Sequence, residues 1–179
     1  MTSELDVLKL VTLRLDVARL DYMLTGSFAM AYYATPRMTR DLDLVIALGV
    51  NDVPRLTQQF ASDFFVDVEA VRAAALVPGF FNVMHLQSGI KVDFIVRKDA
   101  PYRKVEFERR RRVQFGGFDC CIVSREDLIL SKLVWSLETR SELQHRDVRA
   151  LLDETADWPY LRRWAIELGV LELLEELAK

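Results

Sequence analysis

The segment Asp41-Leu42-Asp43-Leu44-Val45-Ile46 restricts the chain more than any other, because it is an apolar strand run broken by two acids at i and i+2. In an extended strand those two carboxylates leave the same face, with α-carbons roughly 6.5 Å apart. Two like charges on one face repel, and burying either without a partner is costly. A strand therefore carries this pattern at a loss unless a cation sits between the acids. Ligands that are oxygen only suit Mg2+ or Mn2+ and not zinc. The plain alternative is a pair of solvated acids on an edge strand.

A second feature lies about a dozen residues upstream. Tyr22-Met23-Leu24-Thr25 reads as a strand that runs through Gly26-Ser27 into a helix from Phe28 to Tyr33. A glycine at such a turn lets backbone amides approach an anion, and the start of a helix favours negative charge. The loop from Ala34 to Arg40 then brings Arg37 and Arg40 to the mouth of the acidic strand, as phosphate contacts or as surface partners of Asp41 and Asp43. Further on, Phe80 to Gln87, a Ser88-Gly89 turn and Ile90 to Val96 read as a β-hairpin. In its second arm Val92, Phe94 and Val96 share one face while Asp93 faces the other. Beside the Asp41/Asp43 strand, Asp93 becomes the expected third carboxylate, whereas His85 is expected to be structural.

Half the residues are apolar, enough for a real core in a single domain or a domain with a small helical appendage. The division expected is a core over residues 1–123 and a C-terminal helical subdomain over 124–179 packed on it. No uninterrupted apolar segment nears the roughly 20 residues that span a bilayer, and the start Met-Thr-Ser-Glu-Leu-Asp lacks the order of a signal peptide. No membrane role and a cytoplasmic location are expected. Cys120 and Cys121 are adjacent on an apparent strand, so they point to opposite faces and suit packing in a reducing compartment.

A helix capped by Ser3 is expected to run to about Ala18, one capped by Asn51 or Asp52 to Phe60, and a third from Asp67 to Leu76. Ser124-Arg125-Glu126-Asp127 resembles a capping box for a helix to about Leu137, and the remaining chain reads as three further helices. Val113 to Phe115, Gly116-Gly117 and Phe118 to Val123 form a second, smaller hairpin. Net charge is slightly negative, yet from Arg97 to Arg112 eight basic residues face three acids. Such a run could track a polyanion or be a solvated face with arginine paired to glutamate; the first alternative would dock the acceptor along Arg103 to Arg112.

The ordered pair of a Gly26-Ser27 turn and Asp41-x-Asp43 resembles the signature of the DNA polymerase beta-like nucleotidyltransferases. Within that superfamily the chain is similar to the small bacterial group that includes abortive-infection toxins of type IV toxin and antitoxin systems. Gly26-Ser27 matches the first motif of that group, Thr39-Arg40-Asp41-Leu42-Asp43 the second and Lys91-Val92-Asp93 the third. The fourth would be Lys132 with Arg146-Asp147. The resemblance covers about residues 20 to 150, and the chain is shorter than those toxins, with less C-terminal helix to hold a large acceptor.

Strands that alternate with helices, and hairpins in place of strict βαβ order, predict an α/β (α+β) fold, of the nucleotidyltransferase type by that resemblance, with a mixed sheet of about five strands flanked by helices and a C-terminal helical bundle. The resemblance also implies transfer of a nucleoside monophosphate from an NTP, such as ATP, to an acceptor hydroxyl with release of pyrophosphate. Asp41, Asp43 and Asp93 would hold Mg2+ (or Mn2+), Asp93 would help deprotonate the acceptor, and Lys132 would place a positive charge by the departing pyrophosphate. Gly26, Ser27, Arg37, Arg40, Lys132 and Asp147 would bind the nucleotide. The acceptor could be RNA, protein or a small-molecule hydroxyl, and a cognate antitoxin is the partner that a toxin role would bring. The competing expectation is a catalytically silent module of the same fold that binds a nucleotide or a partner.

Overall fold

A computed structural model describes residues 2–34, 41–139 and 141–179, so Arg37, Thr39 and Arg40 lie outside the described residues. The first helix, α1 (Glu4–Ala18), starts at a capping box. Ser3 Oγ accepts the Asp6 N–H at 3.2 Å and the Asp6 carboxylate accepts the Ser3 N–H at 2.9 Å. Its buried stripe is Val7, Leu8, Val11, Leu15 and Ala18, and Arg19, in the left-handed region, ends it.

Strands β1 (Tyr22–Thr25), β2 (Leu42–Ile46), β3 (Phe64–Val66), β4 (Phe80–His85), β5 (Lys91–Val96), β6 (Arg111–Phe115) and β7 (Phe118–Ile122) form a single mixed sheet. Its spatial order is β3-β4-β5-β2-β1-β7-β6. The pairs β2/β5 and β1/β7 are parallel and the others antiparallel. Seven strands among the described residues exceed the expected number partly because β3 is an edge strand of only three residues, too short for alternation to show in sequence. The small hairpin also extends the same sheet at its other edge.

Helices lie on both faces. On one, α3 (Val53–Phe60) sets Phe60 against Phe64 and Phe94, with ring centroids 5.1 and 6.0 Å apart. That face buries Leu42, Leu44, Ile46, Val92, Phe94 and Val96, the positions that alternate with the acids. The opposite face meets α2 (Gly26–Tyr33) and the helices that follow residue 124. These are α6 (Arg125–Thr139), α7 (Glu142–Leu151), α8 (Trp158–Glu167) and α9 (Leu171–Leu177). Two further helices, α4 (Val68–Leu76) and α5 (Pro101–Glu108), complete the set among the described residues. Cys120 is buried, Cys121 half-buried, and both are free thiols, as packing residues on opposite faces should be.

The buried carboxylate of Asp127 joins α5, α6 and α8. It accepts from Ser124 Oγ at 2.5 Å, Arg109 Nε at 3.0 Å, Tyr102 Oη at 3.2 Å and Tyr160 Oη at 2.6 Å. With that many donors its charge is stabilised in the interior and becomes a structural node. Ser124 Oγ also accepts the Asp127 N–H at 3.2 Å, as the sequence signature anticipated.

Candidate active site

Register brings the expected acids together. Asp43 on β2 lies directly across the parallel ladder from Asp93 on β5, and its other neighbour in register is Thr25 at the end of β1. Thr25, Asp43, Asp93 and Asn82 thus form one row across four strands. Immediately after Thr25, Gly26 opens α2 with φ +65, and a Cβ built on it would meet Asp43 Oδ2 at 2.1 Å. Only a residue without a side chain lets the start of this helix come so near the carboxylate.

The fourth expected element comes from the helical half. Lys132 on α6 and Asp147 on α7 form a buried ion pair at 2.7 Å, their side chains 5% and 2% exposed, and Lys132 Nζ also donates to Gln144 Oε1 at 3.1 Å. Lys132 is therefore buried and bound to Asp147 across two helices. Gly26, Ser27, Asp43 and Lys132 line one cavity of about 350 Å³. Asp41 stands exposed just before β2. Lys91 leans between it and the pair, with Nζ 2.8 Å from Asp93 Oδ2 and 3.8 Å from Asp41 Oδ1.

Burial, then the charges of Asp93 and Asp41, push the Asp43 carboxyl up to about 6, against the opposing pull of Lys91 and Lys132. Lys91 is in turn raised, first by its hydrogen bond to Asp93 and then by the charges of the acids around it. The folded Asp43 keeps its proton to about pH 6, whereas its ordinary value is 3.8. Between those values the folded state binds more protons than the unfolded one, so metal-free stability falls as pH rises through the window and stays lower above it. Asp43→Asn is expected to remove that fall. Without metal it should be steadier than wild type by on the order of 2–3 kcal/mol at pH 7 and nearly equal to it below pH 4. Urea unfolding in EDTA across pH 3.5–8 checks this, and parallel curves for the two proteins would refute it.

The donors fit a hard divalent cation, being carboxylate oxygens only. Asp93 Oδ1 is buried and finds no hydrogen-bond donor among the described residues, and burial together with the acidic neighbours raises the Asp43 carboxyl to about 6; a cation would relieve both. The fit is to the Asp43/Asp93 pair. Among the described residues no three acidic, histidine or cysteine side chains are gathered into a metal-holding group, and the Lys91 ammonium sits between Asp93 and Asp41.

Other expectations sort differently. His85 packs on Phe64, and its Nδ1 is 2.8 Å from Ser88 Oγ, a structural histidine. Phe81 is 2% exposed and stacked on Phe94 on the far side of the sheet, away from the acids. Trp135, by contrast, escaped the sequence reading. It is 57% exposed and lines the cavity one helical turn beyond Lys132, a position visible only once α6 is placed over the sheet. The basic run does not form one strip of free charge, because it turns from α5 into β6. Arg103 pairs with Glu106, Lys104 with Asp99, Arg109 with Asp127, Arg110 with Asp21, and Arg112 lies near Asp16 and Asp119. Pairing of this kind spends much of the charge that sequence left open for a polyanion.

Over most of its length the chain is similar to three solved proteins. An antigenic nucleotidyltransferase-like protein of Paracoccidioides brasiliensis superposes at a TM-score of 0.60 and 16% identity, covering 98% of this chain and 92% of that one. A candidate nucleotidyltransferase of Thermotoga maritima gives 0.54 and 17%, covering 79% and 90%. The antibiotic-resistance factor ANT(2'')-Ia gives 0.50 and 15%, covering 95% and 86%. No family model matches the sequence, and neither does any curated protein. At these identities the likeness is one of fold.

Proposed function

We propose that this chain, which has the nucleotidyltransferase fold, transfers a nucleoside monophosphate from a nucleoside triphosphate to an acceptor hydroxyl. The observation that carries the reading is the Asp43/Asp93 pair, set face to face in register and closed over by a glycine-started helix and a buried lysine. A purely structural sheet gains nothing from two carboxylates side by side, one with a raised pKa and the other with a buried oxygen that finds no donor among the described residues.

In this reading the amides at Gly26 and Ser27, with the Ser27 hydroxyl, hold the β and γ phosphates at the start of α2. Lys132, kept in place by Asp147 and Gln144, presents its charge to the pyrophosphate as it leaves. Asp93 takes the proton of the acceptor hydroxyl. The acceptor oxygen then bonds to the α-phosphorus in line with the breaking bond to the bridging oxygen, and pyrophosphate departs with that electron pair. Asp43 and Asp93 would hold Mg2+ or Mn2+, with Asp41 at the exposed rim of the pair, and the ion when bound neutralises phosphate charge and acidifies the acceptor. The Lys91 bridge is the observation that favours the second reading, a silent module in which lysine stands where the cation would be.

Incubation of the protein with each α-labelled NTP, Mg2+ or Mn2+ and a cell extract decides between them. Label is expected to enter an acceptor with wild type and to fall at least 100-fold with Asp93→Asn, as expected on losing a group that takes part in the chemistry. If no NTP labels anything with either metal, the transfer reading is wrong and the silent module stands.

A further inference from the structure

The cavity does not end at the acids. Its floor continues along Val45 and Ile95, and its far end is made by Arg97, Lys98 and Arg103. The Arg97 N–H donates to Ile46 O at 2.9 Å, so the ladder runs one step past β5 and Arg97 falls in the alternation of Asp93 and Ile95. Four residues of strand put the α-carbons of Asp93 and Arg97 about 13 Å apart. One end of the cavity is thus acidic, the middle apolar and the other end basic.

The basic end has charge to spare. Among the described residues the acid lining this end, Glu106, is already held by Arg103 at 2.8 Å and by the Ser131 hydroxyl at 2.5 Å, and Asp99 nearby is paired with Lys104. The Arg97 guanidinium lies over the Phe107 ring at 5.3 Å from its centroid, and its Nε is buried with no acceptor among the described residues. A donor kept dry without an acceptor is an expense that a bound anion would remove. That anion is not the triphosphate of the proposed reaction, which is seated at the other end against Gly26, Ser27 and Lys132.

Resting on the transfer reading, we propose that the acceptor is a small anionic alcohol. Its phosphate or carboxylate sits on Arg97, supported by Lys98 and Arg103, its apolar middle lies over Val45 and Ile95, and its reacting hydroxyl reaches towards Asp93, four strand residues or about 13 Å away between α-carbons. A cavity of about 350 Å³ matches a small-molecule site and not the end of a folded nucleic acid. Specificity for the acceptor is then set by the end of β5, with the paired Arg109, Arg110 and Arg112 outside it.

Calorimetric titrations with 6-hydroxyhexyl phosphate, 6-hydroxyhexanoate and 1,6-hexanediol test the seat, beside a titration with ATP and Mg2+. Wild type is expected to bind at least one anionic probe about tenfold or more tightly than the diol, and the stronger of the two identifies phosphate or carboxylate as the group taken. Arg97→Gln should abolish that preference while ATP affinity stays within about twofold. Lys98→Gln, an exposed change that leaves the packing alone, should weaken it about threefold. The proposal is overturned if the diol binds as well as both anions, or if Arg97→Gln keeps the preference. It is also overturned if Arg97→Gln costs ATP tenfold, since the basic end would then seat the nucleotide while nucleotidyl transfer survived. A wild type that takes the anionic probe but not ATP would sink the transfer reading and, with it, the role of the seat as an acceptor site.

Discussion

Lys132→Met is expected to lose about 3–5 kcal/mol of unfolding free energy, and Asp147→Leu a similar amount, because each leaves one charge in the interior without its partner. The double variant Lys132→Met/Asp147→Leu should recover most of that loss, since it removes both charges and fills the space with apolar volume. Turnover should not recover with it. If Lys132 serves the leaving pyrophosphate, the double variant folds and is inactive; if the pair is only a brace between α6 and α7, the double variant regains both stability and activity. Denaturant unfolding of all four proteins beside the labelling assay separates these outcomes. A double variant as unstable as either single one would show that the pair is not the unit the geometry makes it.

Gly26→Ala is the smallest change with a large expected effect. A residue with a Cβ at φ +65 is strained by roughly 1–2 kcal/mol before any contact is considered. The new methyl would lie 2.1 Å from Asp43 Oδ2 and 2.9 Å from Asp43 Cβ. Rotation of the carboxylate alone cannot relieve a contact that includes its own Cβ, so the start of α2 or the strand must shift. A displacement of about 1 Å at reacting groups is enough to cost on the order of 100-fold in rate. We expect a lower melting temperature together with that loss of turnover. An alanine variant with wild-type turnover would show that the approach of α2 to Asp43 has no part in the chemistry.

Much of the site was legible before the fold. The i, i+2 acids of β2, the lone acid in the apolar β5 arm and the glycine before α2 each break a local rule for their element, and such breaks are where function concentrates. Local patterns also gave the Ser3 and Ser124 caps and both hairpins, because caps and short turns depend on residues three or four apart. The edge strand β3 was missed, for three residues hold no readable period.

What the sequence by itself determined is thus most of the elements, the face on which each acid stands and the lack of an apolar run long enough to span a bilayer, and no helix among the described residues is long and apolar enough to cross a membrane. What only the tertiary structure decided is which distant residues meet. The register of β2 on β5 sets Asp43 opposite Asp93 although 50 residues separate them in the chain. The packing of α6 on α7 turns Lys132 and Asp147 into one buried pair, and the bend from α5 into β6 hands the arginines of a basic run to separate acids. The physical reason is range: periodicity and capping act within a few residues and leave their mark in the sequence. Charge pairing and cavity shape depend on distances across the sheet and between helices, which no local pattern records.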